Sequence, residues 1–139
     1  VAAHWEHFHH DADIGVRGLG ATLDEAYAQA ALALTAIVTD PALVRPMQSV
    51  GIACHAPDRE LLLVDWLNAV TYEMAVRHVV FSRFDVALKP QGLTAHAFGE
   101  ALDRARHHPA VEPKGATYTE LIVRSQSDGT WLAQCVIDV

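Results

Sequence analysis

Three aspartates sit where elements are expected to end, and carboxylates in such places can do chemistry. Asp13 falls in a bend, Asp40 just past a helix, and Asp138 at the end of the last strand. Aspartate favours turns and helix ends, so each alone reads as a surface turn residue. Asp40 is less comfortable than usual. A carboxylate past a helix C-terminus meets the negative end of the dipole, at a cost of ~0.3–1 kcal/mol that a bound cation would reverse. Asp138 lies beside the carboxylate of Val139, a further concentration of negative charge. If the three aspartates approach one another, they cannot all ionise without a cation or a strong rise in pKa. Oxygen-only donors of this kind suit Mg²⁺, Ca²⁺ or Mn²⁺ rather than zinc. Spacing alone does not bring them together.

Other candidates are weaker. Four of the nine histidines, His4, His7, His9 and His10, lie close together. Zinc or copper needs a tight set on one face, whereas strand alternation divides these four between faces, so solvated histidines are expected. His10, next to the bend, is placed to orient that loop. Glu100 follows Gly99 at a strand end, and an acid–base pair with His96 or His107 ranks below a plain exposed carboxylate. GxSxG, a phosphate-cradling glycine loop, HExxH and CxxC are all missing. Cys54 and Cys135 are too few and too isolated for a disulfide framework, which makes a reducing cytosol the default compartment. No catalytic residue is assigned, and the expectation of a self-sufficient enzyme falls accordingly.

The elements that must position these residues are legible from pattern. His4 to Leu19 reads as two short strands bent around His10–Asp13. Thr22-Leu23-Asp24-Glu25 is a capping box opening a helix, and Leu23, Ala26, Tyr27, Ala30, Leu34, Ile37 and Val38 give it one apolar face. Pro41 stops it. Val50 to His55 is a candidate strand. Pro57-Asp58 opens a second helix, more apolar all round, as befits one lying between a sheet and another helix. Phe81–Leu88 and Leu93–Glu100 alternate as strands about Pro90-Gln91-Gly92, and His107-His108-Pro109 falls in a loop. Thr117–Ser125 and Thr130–Asp138 are expected to pair through Ser127-Asp128-Gly129. The order predicts an α+β fold, a mostly antiparallel sheet with two main helices on one face.

Composition bounds the function classes. A chain of 139 residues suits one domain, taken as 1–139, and should bury ~68% of its unfolded surface. With 51% hydrophobic and 19% charged residues it is neither disordered nor a coiled coil. No apolar run approaches the ~18 residues of a membrane span and no signal-peptide pattern opens the chain, so a soluble cytoplasmic protein without a membrane partner is expected. The formal net charge is −7, and Lys89 and Lys114 are its only lysines. A surface gripping nucleic acid through phosphates needs clustered cations, which this chain lacks.

Several blocks together resemble the archease family. They are His10-Asp11-Ala12-Asp13-Ile14-Gly15, Gly20-Ala21-Thr22-Leu23-Asp24-Glu25-Ala26, Thr39-Asp40, and Leu62-Leu63-Val64-Asp65-Trp66-Leu67-Asn68. Gly99-Glu100, Lys114-Gly115-Ala116-Thr117-Tyr118 and Val136-Ile137-Asp138-Val139 follow in family order. No single block is specific, but the ordered set covers nearly the whole chain. The resemblance implies a small α+β accessory protein, not an enzyme alone. Its partner would be the GTP-dependent RNA ligase that joins 2′,3′-cyclic-phosphate or 3′-phosphate ends to 5′-hydroxyl ends in tRNA splicing and RNA repair. The implied role is to promote GMP transfer to the ligase's active-site histidine and sustain multiple turnover, with RNA contacted mainly through the ligase. The implied metal ligands are Asp13, Asp40 and Asp138, with main-chain oxygen from Val139, holding Ca²⁺, Mg²⁺ or Mn²⁺. Asp11 departs from the family's small hydroxyl residue, and either adds an acceptor to the site or is a neutral surface change. Two rival readings stand. A stand-alone divalent-metal phosphoesterase would turn over substrate without a partner. A metal-independent, chaperone-like binding module would survive chelation and loss of Asp13.

Overall fold

A computed structural model describes residues 2–139 of the chain. The first two strands, β1 (His4–His10) and β2 (Asp13–Gly20), form the expected hairpin, with Asp11 at its turn in the left-handed region (φ 51°), a conformation aspartate tolerates. Helix α1 (Leu23–Val38) begins at the capping box: the Thr22 side chain accepts from the Glu25 amide, and Glu25 accepts from the Thr22 amide. After it comes a 3-10 turn, Pro41–Leu43, then β3 (Gln48–His55) and α2 (Arg59–Arg77), whose N-cap is Asp58. The remainder is β4 (Val79–Lys89), β5 (Gly92–Ala101), the short helix α3 (Arg104–His107), β6 (Gly115–Ala116), β7 (Ile122–Ser125) and β8 (Trp131–Asp138).

The α+β class and the antiparallel pairing stand, but the strands divide between two sheets. One runs β1-β2-β8-β6 with β7 also paired to β8, and the other runs β3-β5-β4. The division follows from α1, which is buried on more than one side. Ala26, Tyr27, Ala30, Ala31, Ala33, Leu34 and Ile37 are all inaccessible or nearly so and form one broad face, while every other residue of the helix is at least partly covered and none is exposed. A helix with no exposed residue belongs in the middle of a core. It packs on β2, β8 and β1 on one side and on β4 on the other. The two helices therefore exchange the roles expected from sequence. In α2, Leu63, Trp66, Leu67 and Val70 are buried while Tyr72 and Val76 stand exposed. Periodicity located the buried face of α1, but it does not show that Ala28 and Leu32 on the opposite side are partly covered too.

One such approach is extreme. A Cβ on Gly18 would lie 2.1 Å from the Ala26 carbonyl oxygen and 2.3 Å from the Ala30 nitrogen, so β2 and α1 touch backbone to backbone. The buried indole of Trp66 donates to the Tyr27 carbonyl at 3.0 Å and locks α2 onto α1. Two smaller differences concern the C-terminal third. Thr117–Leu121 is not part of a long strand, since β6 and β7 are separate short strands on β8. His107 is not in a loop: it ends α3 and is 1% exposed.

Candidate metal centre

The end of the larger sheet carries the aspartates. The β2–β8 register ends at Ile14–Ile137, and Asp13 and Asp138 are the next residue on each strand. The Val139 amide donates to Asp13 Oδ1 at 3.3 Å. Lys114 and the β6 strand hold Asp138 from the other side, the Lys114 amide donating to the Asp138 carbonyl at 2.8 Å. Arg17 staples the three strands beneath this tip. It donates to Glu6 on β1 at 2.9 Å and to Gln134 on β8 at 2.8 Å, and holds the Glu6 carboxyl below its usual range.

Helix geometry brings Asp40 to the same end. His7, opposite Val16 in the hairpin, hydrogen-bonds through Nε2 to the Ala33 carbonyl at 2.7 Å, which fixes the level of Ala33 against the sheet. From there α1 continues for ~1.5 Å per residue to Val38, while β2 runs back toward Asp13 at ~3.3 Å per residue. Both therefore finish near one level. Asp40 caps the 3-10 turn, its Oδ1 accepting from the Ala42 amide at 3.0 Å. That bond offsets the discomfort expected from the α1 dipole, since the carboxylate meets amide donors of the next turn.

The structure thus joins Asp13 to the Val139 amide, with Asp138 the preceding residue on β8, and the rise of α1 carries Asp40 toward the same end. Among the described residues no group of three or more His, Cys, Asp or Glu side chains is close enough to hold a metal ion. The donor set nonetheless fits a hard cation. It consists of carboxylates that are exposed or half-buried, and the one side-chain bond that Asp13 and Asp40 each make uses a single oxygen. Asp11 is almost fully exposed, 3.9 Å from His10 Nδ1. A groove of about 390 Å³ between α2 and the segment after α3, lined by Val38, Met74, His78, Leu102 and Val111, contains none of the aspartates.

Sequence reasoning undervalued Glu100. Its Oε2 accepts from the Arg45 amide at 2.9 Å and from His107 Nε2 at 2.9 Å, and it pairs with Arg106. The Asp103 amide donates to His107 Nδ1 at 2.8 Å, which assigns the ring proton to Nε2. The Arg45 amide, followed by His107 and Arg106, holds the Glu100 carboxyl down at about 2. His96 is elsewhere, its ring 6.4 Å from that of Phe98. The sequence offers Glu100 and His107 as a candidate pair, but nothing in it signals that the imidazole is buried with both nitrogens engaged.

An α+β protein of two antiparallel sheets, with an acidic tip where β2, β8 and α1 end, is the class these features define. The chain belongs to the archease family: residues 5–139 match the model of the Archease protein family (MTH1598/TM1083). It is 34% identical to the protein archease of Pyrococcus furiosus over 139 residues, covering 97% of this chain and 98% of that one. The protein archease of Thermococcus gammatolerans is 36% identical with the same coverage. The solution structure of protein 1598 from Methanobacterium thermoautotrophicum superposes with a TM-score of 0.83 at 29% identity, covering 97% of this chain and 98% of that one. A crystal structure described as an archease, possible chaperone, from Thermotoga maritima shares the fold at a TM-score of 0.59 and 15% identity, covering 95% of this chain and 94% of that one.

Proposed function

We propose that this chain is a cytoplasmic, divalent-cation-binding accessory protein that activates a GTP-dependent RNA ligase in tRNA splicing or RNA repair. It performs no bond chemistry of its own. Family membership supports the role, and the observation that carries the site is the Val139 amide donating to Asp13 Oδ1 at the end of the β2–β8 register, next to Asp138. In this reading Asp13, Asp40 and Asp138 supply carboxylate oxygens and Val139 a main-chain oxygen. The residues of the chain hold the cation at an exposed tip, where it can be offered to a partner's nucleotide pocket. When bound there, a divalent cation supplies charge neutralisation for triphosphate and leaving pyrophosphate. The net charge of −7 accords with RNA being held by the ligase rather than by this protein.

The test is transfer of radiolabelled GMP to the cognate ligase under multiple-turnover conditions with Mn²⁺ or Mg²⁺, with and without this chain. A rise in guanylylated ligase is expected. No rise with both proteins folded overturns the reading, as does release of phosphate from an ester by this chain alone.

A further inference from the structure

We propose that Glu100, braced by His107 and Arg106, is the positioning group for Asp40, fixing the carboxylate's approach to Asp13 and Asp138. The inference rests on the cation-site reading above and assigns the residues that preorganise it.

Asp40 lies in the connection between α1 and β3, residues 39–47, which has little regular structure of its own. Apart from its own 3-10 turn, this connection is tied to one scaffold before, within and after the aspartate. The Thr39 hydroxyl donates to the His107 carbonyl, and both residues are buried. Arg106 Nη1 donates to the Leu43 carbonyl at 3.4 Å. The Arg45 amide donates to Glu100 Oε2 at 2.9 Å. A fourth bond, from the Ala110 amide to the Val38 carbonyl at 2.8 Å, fastens the segment after α3 to the last turn of α1.

The scaffold is itself over-determined. Glu100 stands at the end of β5, paired with Val80 of β4 in the sheet register. The His107 ring is buried and uses one nitrogen on Glu100 and the other on the Asp103 amide, so neither is left for substrate or metal. A buried imidazole with both nitrogens committed serves geometry rather than proton transfer. The smaller sheet is thereby coupled to the tip of the larger one through the Asp40 connection. Without that coupling the connection would be ordered only when the cation binds, and affinity would carry the ordering cost.

The test is Mn²⁺ affinity of the full chain by titration calorimetry, with far-UV circular dichroism and thermal unfolding as checks on folding. Glu100→Ala is expected to weaken binding about 10-fold, as loss of an outer support of a metal ligand commonly does. In an Asp40→Asn background the same change should weaken it by less than about 2-fold, because groups acting through one another are not additive. Unchanged affinity in a folded Glu100→Ala variant overturns the proposal. So does a loss that recurs undiminished in the Asp40→Asn background. Should Glu100→Ala fail to fold, Thr39→Val removes one tie alone and is read in the same two backgrounds, with unchanged affinity again overturning the proposal. Asp13→Asn separates the two levels. If it loses affinity while Glu100→Ala does not, only the positioning role fails; if it too binds normally, the cation-site reading fails and takes the positioning role with it.

Discussion

Replacing Asp138 by Asn should stabilise the metal-free protein and sharply reduce its response to metal. Asp13 and Asp138 each follow the last β2–β8 pair, Ile14–Ile137, so continuing that antiparallel register would set them opposite one another. Like charges directly opposite cost ~0.2–1 kcal/mol, less as salt rises. The main-chain bond from Lys114 to the Asp138 carbonyl is untouched by the substitution. For a chain of 139 residues each kcal/mol moves the midpoint by roughly 3–5 °C, so Asp138→Asn should gain about 1–4 °C in EDTA. Metal reverses the order. At 100 times Kd the parent gains ~2.7 kcal/mol, roughly 10 °C, whereas a variant whose Kd is 100-fold weaker gains only ~0.4 kcal/mol. Differential scanning fluorimetry in EDTA and in Mn²⁺ reads both effects on one plate. A midpoint in EDTA more than about 2 °C below the parent, or a Mn²⁺ shift equal to the parent's, refutes the reasoning.

Gly18→Ala should cost at least the upper part of the ~1–3 kcal/mol typical of overpacking, because the obstructing atoms are the Ala26 and Ala30 backbone, which cannot swing aside. Urea unfolding checks it, and a variant within ~0.5 kcal/mol of the parent would show the β2–α1 contact to be soft. The Glu100 network should fail in acid. Its carboxyl is depressed from 4.5 to about 2 on folding, so its contribution is present above pH 4.5 and is lost as the pH falls toward 2. The gap in urea midpoint between parent and Glu100→Gln should accordingly narrow from pH 7 to pH 3, and a constant gap would contradict the assignment. Burial pushes the Cys54 thiol up to about 11 and the Cys135 thiol to about 12, so neither should react with a thiol reagent at pH 8 until the chain is unfolded. Labelling of the native protein within minutes would show that one of them opens to solvent.

Local signals carried the elements well. The Thr22–Glu25 capping box starts α1 where the sequence places it, and the hairpin around Gly129 (φ 87°) joins β7 to β8 with the Thr130 amide donating to Asp128. The boundary positions of Asp13, Asp40 and Asp138 were equally legible, since Pro41 and the strand patterns define them. What the pattern missed is long-range. That α1 would be shared by two sheets depends on alanines whose small size matters only once Gly18 and β4 are in place. That His107 would be buried depends on Glu100 and the Asp103 amide meeting it after α3 has formed. The link from the Val139 amide to Asp13 spans nearly the whole chain, so local spacing holds no trace of it. Only the ordered family blocks connected those residues in sequence, and the β2–β8 register supplies the physical link.

The most direct test of the account is multiple-turnover GMP transfer to the ligase with an Asp13→Ala, Asp138→Ala double variant, its fold verified by far-UV circular dichroism. The account predicts stimulation by the parent that requires Mn²⁺ or Mg²⁺, and none by the double variant at any cation concentration. Stimulation by the folded double variant equal to that of the parent would contradict it, and would move the protein's action from the acidic tip to its surface contacts.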